Sequence, residues 1–277
     1  MGEVGIVTGS NQGLGLALVR GLCRALGPEA TVYLTARDEA RGRAALELLR
    51  SEGLAPALAR LDVTEEGSVE ALARALRERH GGVDVVISNA AARITKEAPP
   101  ARQVEAFVDT NNHGTYRVIR HLAPLLRDGG SFLVVASAFG SLRNLPPHLH
   151  ARFDVERCSL EDVERVMDGY VAAVRGGRDR EEGWPEWINV PSKVGQVASA
   201  KILARELRSD PGRRLRVNAV CPGLVDTEAS RPWFPDMSAA QTPDQAASDV
   251  LWLATLHPSA AGPHGELVQH RRAIPWR

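Results

Sequence analysis

Short runs of β-branched and other apolar residues alternate along the chain with longer segments in which apolar residues recur at helical spacing. The short runs predict buried strands and the longer segments predict amphipathic helices. The predicted strands lie near residues 4–8, 31–35, 57–61, 83–88, 131–136, 214–220 and 265–268. The predicted helices lie near residues 14–26, 39–52, 66–80, 101–127, 193–208 and 243–256.

This alternation is typical of βαβ units, so it predicts an α/β fold with a mostly parallel sheet. In such folds a ligand binds at the carboxyl ends of the strands. The chain has 277 residues, of which 44% are hydrophobic and 25% are charged, and neither a repeat nor a break in composition divides it. We therefore predict a single domain over residues 1–277.

Charge and cysteine content exclude several classes of partner. Lys+Arg and Asp+Glu both number 34, so no overall basic field favours nucleic acid or an anionic membrane. A run of about 18 apolar residues, which a membrane span needs, is absent, as is a secretory leader before the first strand. Cys23, Cys158 and Cys221 lack the spacing of metal ligands, which favours free thiols in a reducing compartment. We predict a cytoplasmic protein without a metal.

A glycine-rich loop joins the first predicted strand to the first predicted helix. Gly9, Gly13 and Gly15 lie in the sequence Thr-Gly-Ser-Asn-Gln-Gly-Leu-Gly. A strand that leads into a helix N-terminus directs free backbone N–H groups and the positive end of the helix dipole at one spot, which suits a pyrophosphate. Gly9 permits the tight turn, Gly13 lets a phosphate approach, and Gly15 lets the helix pack on the strand. Taken alone, the same glycines also fit a flexible loop.

The end of the second predicted strand indicates which dinucleotide would bind. An NAD-binding domain usually has a carboxylate here for the ribose 2′-hydroxyl, whereas this chain has Arg37. A guanidinium suits a 2′-phosphate, which favours NADP(H). The alternative is that Arg37 only pairs with Asp38 or Glu39 at the surface.

The chain resembles the short-chain dehydrogenase/reductase family over almost its whole length. The resemblance combines the glycine loop with a set of motifs in a fixed order, namely Asp62-Val63, Asn89-Ala90-Ala91, Asn111, Ser137, Lys193 and Pro222-Gly223 followed by Thr227. The chain is most similar to the NADPH-dependent carbonyl reductases of this family that act as monomers, on the evidence of Leu34-Thr35-Ala36-Arg37-Asp38, Gly183-Trp184-Pro185 and Ala261-Gly262-Pro263-His264-Gly265.

The resemblance implies a doubly wound Rossmann fold that binds NADP(H). Adenine would lie near Asp62 and Val63, and nicotinamide near Pro222, Gly223 and Thr227. The full predicted cofactor set is Gly9, Asn11, Gln12, Gly13, Leu14, Gly15, Arg37, Asp62, Val63, Asn89, Ala90, Lys193, Pro222, Gly223, Val225 and Thr227.

The resemblance also implies catalytic roles for three residues. Ser137 would orient a substrate carbonyl, Lys193 would hold the ribose, and Asn111 would anchor a proton-relay water. The family places its proton-donating tyrosine four residues before the lysine, where this chain has Asn189. We therefore predict an atypical catalytic set of Asn111, Ser137, Asn189 and Lys193.

An asparagine at position 189 limits the chemistry that the resemblance implies. An amide does not ionise, whereas general acid catalysis contributes about 10²–10⁴-fold to a rate. Ordinary ketone reduction should therefore be slowed, while an iminium substrate needs no proton. Lys193, Ser137 or a water could still supply a proton. His113 is a further candidate acid, and the alternative is that it is a packed structural histidine.

Ser137 and Asn189 are 52 residues apart, which leaves room for a helical insertion at about 142–182. Leu160, Val163 and Met167 have helical spacing there, and Ser159 is the predicted N-cap. The resemblance implies that this insertion covers the face through which other members associate, so we expect a monomer. A disordered surface loop is the alternative.

Three functions are compatible with the sequence. The first is an NADP(H)-dependent oxidoreductase that reduces a carbonyl or imine group of a small, apolar or aromatic substrate. The others are a non-redox enzyme, such as an isomerase or cyclase, and a non-catalytic NADP(H)-binding protein. The predicted apolar rim of the substrate pocket consists of Leu142, Trp184, Trp187, Trp233 and Phe234.

Overall fold

The computed structural model describes residues 2–208 and 212–277. Within these residues the strands form an eight-stranded sheet in the order β3-β2-β1-β4-β5-β6-β7-β8. The strands are β1 Val4–Val7, β2 Thr31–Ala36, β3 Ala57–Arg60, β4 Val83–Ser88, β5 Leu126–Val135, β6 Arg216–Val220, β7 Leu267–Gln269 and β8 Arg272–Ile274. The β7–β8 pair is antiparallel and the other neighbouring pairs are parallel.

Helices cover both faces of this sheet. They are α1 Gly13–Leu26, α2 Glu39–Ser51, α3 Glu66–His80, α4 Pro100–Val108, α5 Gly114–Leu122, α6 Leu160–Arg175, α7 Asn189–Leu207 and α8 Pro243–Ala254. One buried cluster contains Leu18 and Leu22 of α1 and Val250 and Leu253 of α8. The cluster on the other face contains residues of α3, α4, α5, α6 and α7.

The strand order reverses at β1, which pairs with β2 on one side and with β4 on the other. The loops that follow β1 and β4 therefore diverge and leave a crevice at the carboxyl ends of the strands. The predicted α/β doubly wound Rossmann fold is confirmed.

Two parts of the predicted pattern were wrong. The single helix predicted at 101–127 is α4, a π-helix at Asp109–His113, α5, a 3₁₀ turn and the first two residues of β5, because the apolar periodicity continues through these changes of structure. The sequence also gave no signal for β8, which has three partly or fully exposed residues and follows a tight turn in which His270 and Arg271 have positive φ.

The segment before α7 contains the helix α6, which packs against α4 and α7. Ser159 caps α6 as predicted: its Oγ accepts from the backbone N–H of Asp162 at 3.1 Å, and Asp162 accepts from the N–H of Ser159 at 2.7 Å. Met167 and Tyr170 are fully buried. The disordered-loop alternative is therefore wrong for this helix. Within residues 2–208 and 212–277, no helix combines the length and the apolar character that a membrane span requires.

Candidate active site

The glycine loop forms the floor of a cleft of about 340 Å³ at the start of α1. Gly9 and Gly13 have φ of 60° and 55°, a backbone conformation that favours glycine. A Cβ on Gly15 would lie 2.6 Å from the side chain of Asn89 and from the carbonyl oxygen of Gly9. Only glycine therefore fits at this position of α1. The cleft is lined by Gly9, Gln12, Gly13, Leu14, Gly15, Asn89, Ala91, Ala92, Arg93, Asp226, Thr227, Glu228 and Ala229.

Thr8 and Asn89 fix the shape of this loop. The Asn89 amide donates to the carbonyl oxygens of Thr8 and Gly9, each at 3.0 Å. The Thr8 hydroxyl accepts from the backbone N–H groups of Asn89 and Ala90, each at 2.9 Å. These bonds join the ends of β1 and β4, and they therefore hold the free N–H groups at the start of α1 in fixed positions. Such a cradle fits a pyrophosphate, and the flexible-loop alternative is wrong.

Arg37 follows β2 with an exposed side chain and no hydrogen bond or ion pair to the described residues. Asp38 instead caps α2 through the N–H of Arg41 at 3.0 Å, and Glu39 pairs with Arg43. The alternative in which Arg37 pairs with Asp38 or Glu39 is therefore wrong. An unpaired guanidinium at this strand end fits a phosphate group.

The predicted adenine contacts, Asp62 and Val63, follow β3. The Asp62 carboxylate accepts from the hydroxyl of Thr64 at 2.7 Å and from the backbone N–H of Thr64 at 3.0 Å. These bonds stabilise the turn that follows β3. Val63 is buried and packs against Gly114 at the start of α5. Both residues lie outside the lining of the cleft.

A second cavity, of about 450 Å³, brings together three of the four predicted catalytic residues. Ser137 follows β5, and its Oγ accepts from the N–H of Phe139 at 3.3 Å, so its hydroxyl proton is available to donate. Asn189 is the first residue of α7, and Lys193 lies one turn later. Because Thr227 and Leu14 line both this cavity and the glycine cleft, the two are continuous.

Lys193 lies between the cavity and a buried network of amides. Its Nζ donates to Gln196 Oε1 at 2.8 Å and to the carbonyl oxygen of Val135 at 3.4 Å. Burial lowers the pKa of Lys193 to about 8, and the nearby Cys221 opposes that shift only in part. An ammonium group with this pKa loses its proton just above neutral pH.

Asn111, the fourth predicted catalytic residue, is 1% exposed and lies outside the cavity lining. Its side-chain oxygen accepts from the N–H of Ala92 at 2.8 Å, which ties the π-helix to the loop after β4. Its backbone carbonyl accepts from Gln196 Nε2 at 2.9 Å. Asn111 is thus linked to Lys193 through Gln196.

His113 does not reach the cavity. Its Nδ1 lies 2.5 Å from Glu164 and its Nε2 3.1 Å from Asp168, both on α6. Burial disfavours the charged imidazole, but the carboxylates of Glu164, Asp168 and Asp109 outweigh it and raise the pKa of His113. The structural interpretation of His113 is confirmed, and the candidate acid is wrong.

The loop after β6 forms the wall opposite α1. Gly223, with φ of 82°, Val225 and Thr227 line the second cavity, while the carbonyl oxygen of Pro222 accepts from Gln241 at 3.2 Å. Predicted site residues outside the lining of both cavities are Asn11, Arg37, Asp62, Val63, Ala90, Asn111 and Pro222.

Aromatic residues form the outer wall. The Trp187 ring lies 4.9 Å from that of Phe139 and 5.9 Å from that of Trp233. Trp187, Trp233 and Phe234 separate the second cavity from an apolar outer groove of about 590 Å³. Two of the predicted rim residues were wrong: Leu142 is fully buried, and Trp184 is 4% exposed in the core against Tyr170.

Sequence reasoning missed three features of the site. Cys221 lines the second cavity, and burial raises the pKa of its thiol. Arg93 and Glu228 form an ion pair of 3.1 Å between the loops after β4 and β6. The contact between Gln196 and Lys193 could have been predicted from the sequence, because a polar residue one turn after Lys193 lies on the same side of the helix.

The sheet is doubly wound, and the glycine loop lies where its strand order reverses, with a side-chain cavity beside it. These features define a nucleotide-binding α/β enzyme. Residues 3–146 match the short chain dehydrogenase family. The chain is 36% identical to carbonyl reductase (NADPH) 1 of Bos taurus, over 278 residues that cover 99% of this chain and 98% of that protein. The Homo sapiens protein of that name is 36% identical over 279 residues, with the same coverage of both chains. The chain belongs to the short-chain dehydrogenase family of oxidoreductases.

Solved structures agree on the fold. Salutaridine reductase from Papaver somniferum has a TM-score of 0.82 at 23% identity and covers 96% of this chain and 99% of its own. Menthone neomenthol reductase from Mentha piperita has a TM-score of 0.80 at 24% identity and covers 98% of this chain and 100% of its own.

Proposed function

We propose that this chain is an NADP(H)-dependent oxidoreductase that reduces a carbonyl or imine group of a small apolar or aromatic substrate. The observation that carries this proposal is the cavity in which Ser137, Asn189 and Lys193 meet beneath an aromatic wall, continuous with the glycine cleft. The similarity to carbonyl reductases that are named for NADPH supports the same reaction.

Arg37 supports NADP(H) over NAD(H). Its guanidinium has no partner among the described residues, and the carboxylates beside it are used by Arg41 and Arg43. A free cation at the end of β2 would bind a 2′-phosphate and has no favourable contact with a bare hydroxyl. Bound in this cleft, the dinucleotide would supply the hydride.

We further propose that Asn189 stands where the family has its tyrosine. Ser137 and the Asn189 amide can each donate a hydrogen bond to a carbonyl oxygen in the cavity, which would orient and polarise it. Neither group is a ready proton source near neutral pH. This arrangement favours a substrate that arrives cationic, such as an iminium, or a carbonyl whose proton comes from another group.

We propose a cytoplasmic monomer. α6 packs over α4 and α7 and is tied to the π-helix by His113, so it covers part of the helical layer that would otherwise be available for association. Cys23, Cys158 and Cys221 are free thiols, which agrees with a reducing compartment.

The proposal is tested by two measurements on the intact chain. NADPH and NADH are titrated by fluorescence, and NADPH consumption is then followed with ketones, quinones and cyclic imines. We expect tight NADPH binding and turnover with at least one class. Ser137→Ala is the matched control, which should slow turnover and leave nucleotide binding intact. NADPH binding without consumption would instead favour the non-redox or non-catalytic functions.

A further inference from the structure

The Gln196 side chain connects two groups of the predicted site. Gln196 lies on α7 one turn after Lys193 and is 2% exposed. Its Oε1 accepts from Lys193 Nζ at 2.8 Å, and its Nε2 donates to the backbone carbonyl oxygen of Asn111 at 2.9 Å. The Gln196 amide therefore lies between Asn111 and Lys193. This is the place where the family resemblance implies a proton-relay water.

The Asn111 carbonyl oxygen has a second donor. The Thr115 hydroxyl lies 2.6 Å from it. A carbonyl oxygen has two lone pairs, so Gln196 and Thr115 together occupy both. No acceptor position is left on this oxygen for a water that would conduct protons to Lys193. The Gln196 amide does not ionise, so it does not conduct them either.

The Lys193 ammonium has three N–H groups. One is held by Gln196 and a second points to the carbonyl oxygen of Val135. Lys193 also lines the cavity that contains Ser137 and Asn189. The third N–H is therefore the one that a substrate in this cavity can reach.

We infer that Lys193 is the catalytic proton donor of this chain, and that Gln196 is a positioning residue that holds the ammonium group and closes its inner proton route. This inference rests on the proposed function. A bound dinucleotide would supply the hydride for the new C–H bond at the carbonyl carbon; the π electrons would move to oxygen, and an Lys193 N–H bond would break as the O–H bond forms. The neutral amine then regains a proton from water that enters the cavity when the product leaves.

Two titratable groups meet at this point. Burial lowers the pKa of Lys193 to about 8, and the other titratable group that acts on it among the described residues is Cys221. Burial raises the pKa of the Cys221 thiol, so Lys193 loses its proton first as the pH rises. The turnover number should therefore fall as the pH rises through about 8.

The test compares Gln196→Glu with Gln196→Met, which is close in volume to glutamine. A carboxylate beside the ammonium favours its charged form, so Gln196→Glu should move the alkaline fall in kcat upward by about one pH unit or more. Gln196→Met removes the acceptor and should move it downward. NMR of carbon-13-labelled lysine in the nucleotide-free protein, assigned with Lys193→Arg, should show the same order of pKa values.

The outcomes separate this inference from the proposed function. Turnover whose pH profile stays fixed in both Gln196 variants, or drops equally at every pH, overturns the inference and leaves the proposed function standing. Unchanged Lys193 pKa values in the NMR titration overturn it as well. Absence of turnover with every substrate overturns both.

Discussion

Replacement of Asn189 by tyrosine should raise ketone reduction by about 10–10³-fold, within the range of general acid catalysis. Positions 189 and 193 are one helical turn apart on α7, where side chains are neighbours. An ammonium about 5 Å from a phenolic oxygen, at an effective dielectric constant of about 20, favours the phenolate by about 3 kcal/mol. This lowers the tyrosine pKa from about 10 to between about 7 and 8, which suits a proton donor near neutral pH. The expected gain stays below the upper limit because Gln196 already holds Lys193.

The assay is NADPH consumption with one ketone and one cyclic imine. Asn189→Phe is the matched control, because it adds the same ring to the cavity of about 450 Å³ without the hydroxyl. Ketone reduction should rise in Asn189→Tyr alone, while imine reduction should stay flat or fall in both variants through crowding. Equal ketone rates in the two variants, with NADPH binding retained, would refute this reasoning.

Three further predictions concern the cofactor, stability and assembly. NADPH should bind at least about tenfold more tightly than NADH, a gap of about 1.4 kcal/mol, and Arg37→Gln should remove most of the gap in a fluorescence titration; equal affinities in the unmodified chain would contradict the role of Arg37. The raised pKa of His113 means that its bonds to Glu164 and Asp168 stabilise the fold below the unfolded pKa of about 6.5 and are lost as the pH rises through the folded value. His113→Gln should therefore lower the free energy of unfolding in urea by about 1 kcal/mol at acidic pH and by less at alkaline pH, and an equal loss at both would count against the ion pairs. Sedimentation at micromolar concentration should show one species near the chain mass of 29.9 kDa, and a stable tetramer would contradict the proposed monomer.

The features predicted well from sequence are local ones. The glycine loop lies within a few residues of its own strand and helix, and the Ser159 cap depends on a residue three positions later. Gln196 and Asn111 are 85 positions apart, so only the fold reveals that they touch. Trp184 is of a residue type common at pocket rims, yet its ring packs inward on Tyr170, a contact between side chains of two elements that the sequence does not reveal.

The π-helix at Asp109–His113 has a consequence for changes in chain length. It holds one more residue per turn than an α-helix, and the extra residue lets Asn111 face Gln196 while Asn112 bonds Ser192 at 2.9 Å and 2.8 Å. Each residue of an α-helix turns the chain by about 100°. Because the five residues of the π-helix turn the chain about as far as four α-helical residues do, deletion of one residue here would restore the regular pitch and leave the rotation of α5 relative to α4 almost unchanged. The loss would fall instead on the contacts of Asn111 with Gln196 and of Asn112 with Ser192, because both asparagines face α7 only while the extra residue is present.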